Sequence, residues 1–199
     1  MLKPQFCFPP KPTSTHAKPP DEAFYRIAKL SPNFVIEKKL DGFACVIVKL
    51  GEKFTFYTRE KKLLDLSIIP EASQQLKKLS LPTNLVIGGE AIGRRTKVKD
   101  VLYLYAVYYA DGKWFNNVSL EDNRNVLNTL IKTDGKIQVA EYFSENRCPK
   151  NRFDQFWFDN INNDDVEGVI LKDLQKPVKL DFVKTLVLPW WFKFKAFDT

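Results

Sequence analysis

The sequence contains one histidine, His16, and three cysteines, Cys7, Cys45 and Cys148, with no Cys-x-x-Cys pair. An odd, scattered set of thiols supports neither a disulfide framework nor a structural zinc site. A lone histidine in a Pro/Ser/Thr segment also argues against Ser-His-Asp and Cys-His catalysis, so a nucleophile or general base has to be a lysine or a carboxylate. No apolar run reaches the length that spans a bilayer. Met1-Leu2-Lys3-Pro4 leads into proline-rich polar residues, where a signal peptide would continue with an apolar stretch. There is no internal repeat and no low-complexity tract. These absences predict a soluble, cytoplasmic or otherwise intracellular protein with no membrane partner.

What is present points to a packed interior. The 199 residues are 44% hydrophobic and 14% aromatic, with Phe far ahead of Tyr and Trp, which predicts one strand-rich domain with a sizeable core, in one or two lobes. The excess of 31 Lys and Arg over 24 Asp and Glu, a net +7, is compatible with a polyanionic partner.

Residues 1–20 carry six prolines and read as an extended lead-in along the surface, with Cys7 and Phe8 tucked against the body. Pro19-Pro20-Asp21-Glu22 looks like a helix start, with Ala23, Phe24, Ile27, Ala28 and Leu30 on an apolar stripe. Phe34–Lys38 and Gly42–Leu50 read as strand, tight turn, strand, and Gly51-Glu52 turns into a third strand ending at Arg59. A helix from Pro70 to about Leu79 follows, then a strand, Leu85–Gly93, whose Gly88-Gly89 pair marks a bulge or a close approach. Val101–Tyr109 is an aromatic strand closed by Asp111-Gly112. Ser119 caps a helix running to Lys132 with Val126, Leu127, Leu130 and Ile131 inward. Ile137–Phe143 reads as a strand, Arg152–Ile161 as a helix and Val166–Lys172 as a strand. In the closing run Trp190 to Phe197, alternation puts Lys193 and Lys195 on one face and Phe192 and Phe194 on the other. The fold class is α+β, mostly antiparallel sheets flanked by helices.

Within Glu37-Lys38-Lys39-Leu40-Asp41-Gly42, a lysine two residues before Asp-Gly at a sheet rim suits a nucleophilic amine, and equally a solvated turn. The ordered series Lys39-x-Asp41-Gly42, Arg59, Glu90, Tyr105, Glu167-Gly168 and Lys193-x-Lys195 resembles the motifs of the covalent nucleotidyltransferases, the superfamily of ATP-dependent DNA ligases, RNA ligases and mRNA capping enzymes. The resemblance runs from about Phe34 to Lys195.

It implies the nucleotidyltransferase (ATP-grasp-like) ligase fold over residues 21–199, with no OB-fold domain following. It implies an ATP-dependent polynucleotide ligase that adenylates itself on Lys39, uses Mg²⁺, and joins 5′-phosphate to 3′-hydroxyl ends, nicked DNA above RNA, as a monomer of viral or phage type. A free lysine, with a pKa of about 10.4, is protonated at neutral pH, so neighbouring cations would have to favour the neutral amine. By the same resemblance Lys39 and Asp41 are catalytic, and Glu37 sits beside the adenine edge, with Lys38 next to it but out of the Lys-x-Asp-Gly register. Arg59 contacts ribose or phosphate, Glu90 the ribose hydroxyls, Tyr105 stacks on the purine, Glu167 holds the metal, and Lys193 and Lys195 grip phosphates. Two positions depart from the family: Ala44 stands where many members have Arg, and Ala106 where ligases often have Asp. The alternatives are an RNA ligase, a GTP-using capping guanylyltransferase, and a non-catalytic nucleic-acid-binding module.

Overall fold

The computed structural model describes residues 4–17, 21–93, 99–144, 153–161 and 166–196. Pro19, Pro20, Cys148, Arg152 and Phe197, named above, lie outside them. The proline-rich opening enters the domain itself: Phe6 and Cys7 are buried, and Lys11–Thr15 forms strand β1. Helix α1 (Glu22–Ala28) buries Phe24 and Ala28 but ends before Leu30, which is 68% exposed, not inward as the stripe suggested. Ser31-Pro32 follows too closely for another helical turn. Strands β2 (Phe34–Leu40), β3 (Phe43–Leu50) and β4 (Lys53–Thr58) come next, with Gly51 at φ +58° in the β3–β4 turn. Helix α2 (Pro70–Lys78) starts on proline, and its first free amides, of Glu71 and Ala72, donate at 2.9 Å to the Asp100 carboxylate.

Strands β5 (Asn84–Ile92), β6 (Val101–Ala110), β7 (Lys113–Trp114) and β8 (Val118–Ser119) lead to helix α3 (Leu120–Leu130). The Ser119 hydroxyl accepts from the Asp122 amide at 3.1 Å, the cap its position predicts. The predicted strand Ile137–Phe143 is two, β9 (Ile137–Val139) and β10 (Tyr142–Ser144), which serve different sheets. Helix α4 (Phe153–Asn160) and strands β11 (Val166–Asp173), β12 (Pro177–Val178) and β13 (Val187–Lys195) complete the described chain. Among the described residues no helix is long and apolar enough to cross a membrane.

Two large sheets carry the fold. One runs β1-β13-β11-β2-β10, antiparallel except for β1 beside β13; the other runs β4-β3-β5-β6-β7, with β9 parallel to β6. Alternation sorts their faces. Phe34, Ile36, Val169, Leu171 and Phe194 of the first sheet pack under α1 and α4, while Cys45, Ile47, Leu85, Ile87 and Leu104 of the second pack under α2 and α3. The opposite face of the second sheet, through Val46, Val48 and Val86, meets Leu188 and Trp191 of β13 in a third core. The residues between these two facing surfaces form a cleft.

The turn at Asp41-Gly42 is not a hairpin. β2 pairs with β10 and β11 in the first sheet, and β3 with β4 and β5 in the second, so the chain changes sheets there. Gly42 is needed for closeness: a Cβ on it would lie 2.7 Å from the Ala91 carbonyl oxygen. Bulges then alter which side chains face the cleft. Along β6, Tyr105 is the extra residue opposite Gly88-Gly89 of β5 and Tyr108 the extra residue opposite Val86-Ile87, and along β11 Glu167 is extra opposite β2. Where β6 is bulged, the Asn123 side chain of α3 pairs with both backbone groups of Val107, at 3.0 and 2.6 Å.

Gly168, at φ +149°, follows the β11 bulge with its Cα against the Phe194 carbonyl of β13. Gly168→Ala should therefore destabilise the protein by about 2–3 kcal/mol. Urea denaturation measures this; a midpoint equal to that of the unsubstituted protein would contradict the close approach of the two strands.

Candidate active site

Lys39 lies at the end of β2, one residue before the chain leaves the sheet, on the pleat that faces the cleft. Its ammonium contacts the Glu167 carboxylate, whose other oxygen is 3.4 Å from Lys195 Nζ. The Glu167 bulge makes this contact: an unbulged β11 would not offer this side chain at that point. Burial draws the Lys39 pKa down from 10.5 to about 8; Glu90 opposes the shift, and Lys195, Lys193 and Arg59 reinforce it. At pH 7 about one amine in ten is then neutral, against roughly one in a few thousand for a free lysine. Glu90, on β5, is shifted the other way: burial raises its pKa to about 7, against the pull of Lys39 and Arg59 and with the push of Asp41. A buried lysine and carboxylate whose pKa values approach each other in a cleft mark a place where a proton is readily exchanged.

Glu37, Lys39, Arg59, Glu90, Tyr105 and Lys193 all line this one cleft. Arg59 follows Thr58, which pairs with Cys45, so it arises beside Ala44, itself paired with Glu90. The small side chain at position 44 thus adjoins the Arg59 and Glu90 side chains. Arg59 Nε is buried without a hydrogen-bond partner among the described residues, a donor that an anionic ligand would satisfy. Lys193 pairs across β11 with Ile170, and Lys195 with Gly168, so the two share a face as alternation predicts. The Lys193 pKa is lowered by partial burial, then by Lys195, Arg59 and Lys11. Asp41 sits in the sheet-changing turn and acts on Glu90 through its charge. Lys38 is exposed and on the opposite pleat from Glu37 and Lys39, so it reaches the cleft only at its rim.

The structure adds residues that the sequence did not single out. Glu37 is 3% exposed, with Oε1 2.8 Å from Arg124 Nη2 and Oε2 2.5 Å from Lys172 Nζ. Burial raises the Glu37 pKa, but Arg124 and then Lys172 outweigh it and the carboxyl is held below its usual range. Lys172 Nζ also lies over the Trp191 ring at 4.8 Å and the Tyr105 ring at 5.6 Å. A signal for Arg124 was present: it stands one turn from Leu120 and from Leu127, a charge on the buried stripe of α3. At the edge of the first sheet, Pro10, Lys11 and Pro12 around the start of β1 wall the cleft, which no local pattern announced.

A sequence model of the RNA ligase family matches residues 32–187, well over half of the chain and nearly the whole span of the site. The chain belongs to the RNA ligase family. Its similarity extends to a DNA ligase of Staphylothermus marinus, 24% identical over 88% of this chain and 32% of that protein, so the chain spans about a third of that relative's length. Among solved structures it superimposes on the ligase domain of LigD from M. tuberculosis with a TM-score of 0.61, at 15% identity over 94% of this chain and 59% of the other. The ATP-dependent DNA ligase of bacteriophage T7, solved with ATP, gives a TM-score of 0.52 at 14% identity over 94% of this chain and 68% of the other. The fold is thus that of ATP-dependent ligase nucleotidyltransferase domains, an α+β arrangement of mostly antiparallel sheets. In this ligase-family chain the two sheets and the turn between them are what present Lys39 to the cleft.

An amine with a pKa near 8 should acylate at neutral pH faster than the exposed Lys77 and Lys78. Competitive labelling followed by peptide mass should place the Lys39 half-titration near pH 8. Labelling that tracks Lys77 at every pH would show that the cleft does not depress this amine.

Proposed function

We infer that the chain is the adenylating domain of an ATP-dependent polynucleotide ligase with Lys39 as its nucleophile. The observation that carries the reading is the amine itself, buried in a cleft, drawn toward neutrality and surrounded by Arg59, Lys193 and Lys195. The neutral amine attacks the α-phosphorus of ATP: a nitrogen–phosphorus bond forms, the bond to the bridging oxygen breaks, and pyrophosphate leaves with its electrons. The proton released by the nitrogen passes to a carboxylate, with Glu167 in contact and Glu90 nearby. Negative charge on the phosphate oxygens is met by the three cations, held in place before the reaction. Glu90 then serves the ribose hydroxyls, Tyr105 the face of the purine and Glu37 its edge. Asp41 contributes through the sheet-changing turn and its charge on Glu90.

Among the described residues no group of three or more His, Cys, Asp or Glu side chains forms a ready-made metal site. The Glu167 carboxylate, an oxygen donor beside Lys39, suits Mg²⁺, which keeps much of its water and is commonly bound by one or two carboxylates together with substrate phosphates. Glu167 would hold it, and the ion would supply further positive charge at the α-phosphate. In the later steps AMP passes to a 5′-phosphate and a 3′-hydroxyl displaces it. A nicked DNA duplex is the favoured substrate, a reading supported by the similarity to a DNA ligase; matched nicked DNA and RNA duplexes test it against RNA joining.

Incubation with ATP and Mg²⁺ should add the mass of one AMP to the intact protein, and Lys39→Ala should add none. Adduct formation should accelerate with rising pH and level off above about 8, where the amine is neutral. Lys193→Ala should slow it about a hundredfold. An unmodified protein, or equal modification of the Lys39→Ala variant, would overturn the reading.

A further inference from the structure

The Glu37 carboxylate is fixed more firmly than a side chain on the end of a strand needs to be. Arg124 Nη1 donates to the Ala140 carbonyl, between β9 and β10, while Nη2 holds Glu37 Oε1 at 2.8 Å. The guanidinium is therefore anchored on both sides, and it is 1% exposed. Lys172 takes the other carboxylate oxygen at 2.5 Å and is itself seated over the rings of Trp191 and Tyr105. Glu37 and Lys172 line the cleft with Tyr105; Arg124 does not, and stands behind Glu37.

We propose that Arg124 is a positioning residue for base selection, turning the Glu37 carboxylate so that its remaining lone pairs meet the amine of an adenine and reject the carbonyl of a guanine. The inference rests on the reading of the cleft as a nucleotide site. An ionised carboxylate only accepts hydrogen bonds. Adenine offers an N6 amine where guanine offers the O6 oxygen, so a carboxylate held in one orientation favours the first and repels the second. Two cations on one carboxylate keep it ionised, and the net positive charge they leave is shared with the two aromatic faces. Lys172 alone cannot set the carboxylate plane, because a single ammonium contact leaves rotation about the side-chain torsions. The planar fork of Arg124, fixed by Ala140, removes that rotation. A lysine in its place would keep the charge and lose the double anchor.

The experiment is equilibrium binding of AMP and of GMP to the full chain by calorimetry, for the unsubstituted protein, Arg124→Lys and Arg124→Gln, with thermal melting of each. The unsubstituted protein should prefer AMP, and both variants should lower the AMP-to-GMP affinity ratio about tenfold or more. Arg124→Lys should keep more of the preference than Arg124→Gln. The ratio does not depend on the fraction of folded protein, so a merely structural role for Arg124 would leave it unchanged. If both variants melt too early to be measured, the triple variant Glu37→Gln/Arg124→Met/Lys172→Met leaves no buried charge without its partner and should fold yet bind the two nucleotides nearly equally; a retained AMP preference would overturn the proposal. An unchanged ratio, or no binding of either nucleotide, would overturn the proposal. Selective AMP binding without a covalent adduct from ATP would instead overturn the adenylation reading alone.

Discussion

Everything in the cleft depends on one short connection. Between Leu40 and Phe43 the chain leaves one sheet and joins the other, and only a residue without a side chain lets the corner sit against the Ala91 carbonyl. A wider turn would move β2 relative to β5. Water would then reach Lys39 and Glu90, and the shifts that burial imposes on the two groups, toward about 8 and about 7, would relax. The close approach is a steric fact with an electrostatic consequence: the amine loses water, faces three cations from β13 and the end of β4, and is drawn toward the neutral form.

The bulges are the second device. A regular strand alternates strictly, so β6 and β11 could not otherwise offer Tyr105 and Glu167 to the cleft while also filling the cores with Leu104, Val107, Val166 and Val169. Each extra residue costs a ladder hydrogen bond, and neighbours recover part of it. Asn123 bonds both backbone groups of Val107, and the Ala196 amide donates to the Glu167 carbonyl at 3.0 Å. Irregular backbone thus lies beside the cleft, and regular backbone lies in the cores.

Much of the fold was legible because it is local. Gly51 marks the β3–β4 turn, Ser119 caps α3, and the Lys193/Lys195 alternation survives because β13 is regular where it pairs with β11. The α3 stripe holds at Leu127 and Ile131, with Val126 and Leu130 partly buried against the same core, and it also takes in Leu120, Asn123 and Arg124, which the hydrophobic pattern did not include. Polar residues on that stripe were invisible to a hydrophobic pattern, since their burial is permitted only by partners on β6 and β2. The same limit applied to Ile137–Phe143, one strand by propensity and two by pairing, and to residues 11–15, where Pro12 and the prolines before it concealed a strand at the sheet edge.

The sequence alone determined most element types, the Ser119 cap of α3, and the ordered set of charged residues around Lys39, because side-chain period and turn chemistry act over a few residues. Tertiary structure decided which sheet each strand joined, that the Lys39 turn is a corner and no hairpin, and that Arg124 and Lys172 clamp Glu37. Those outcomes depend on contacts between residues far apart in the chain, and the desolvation that tunes the Lys39 amine exists only once both sheets have closed over it.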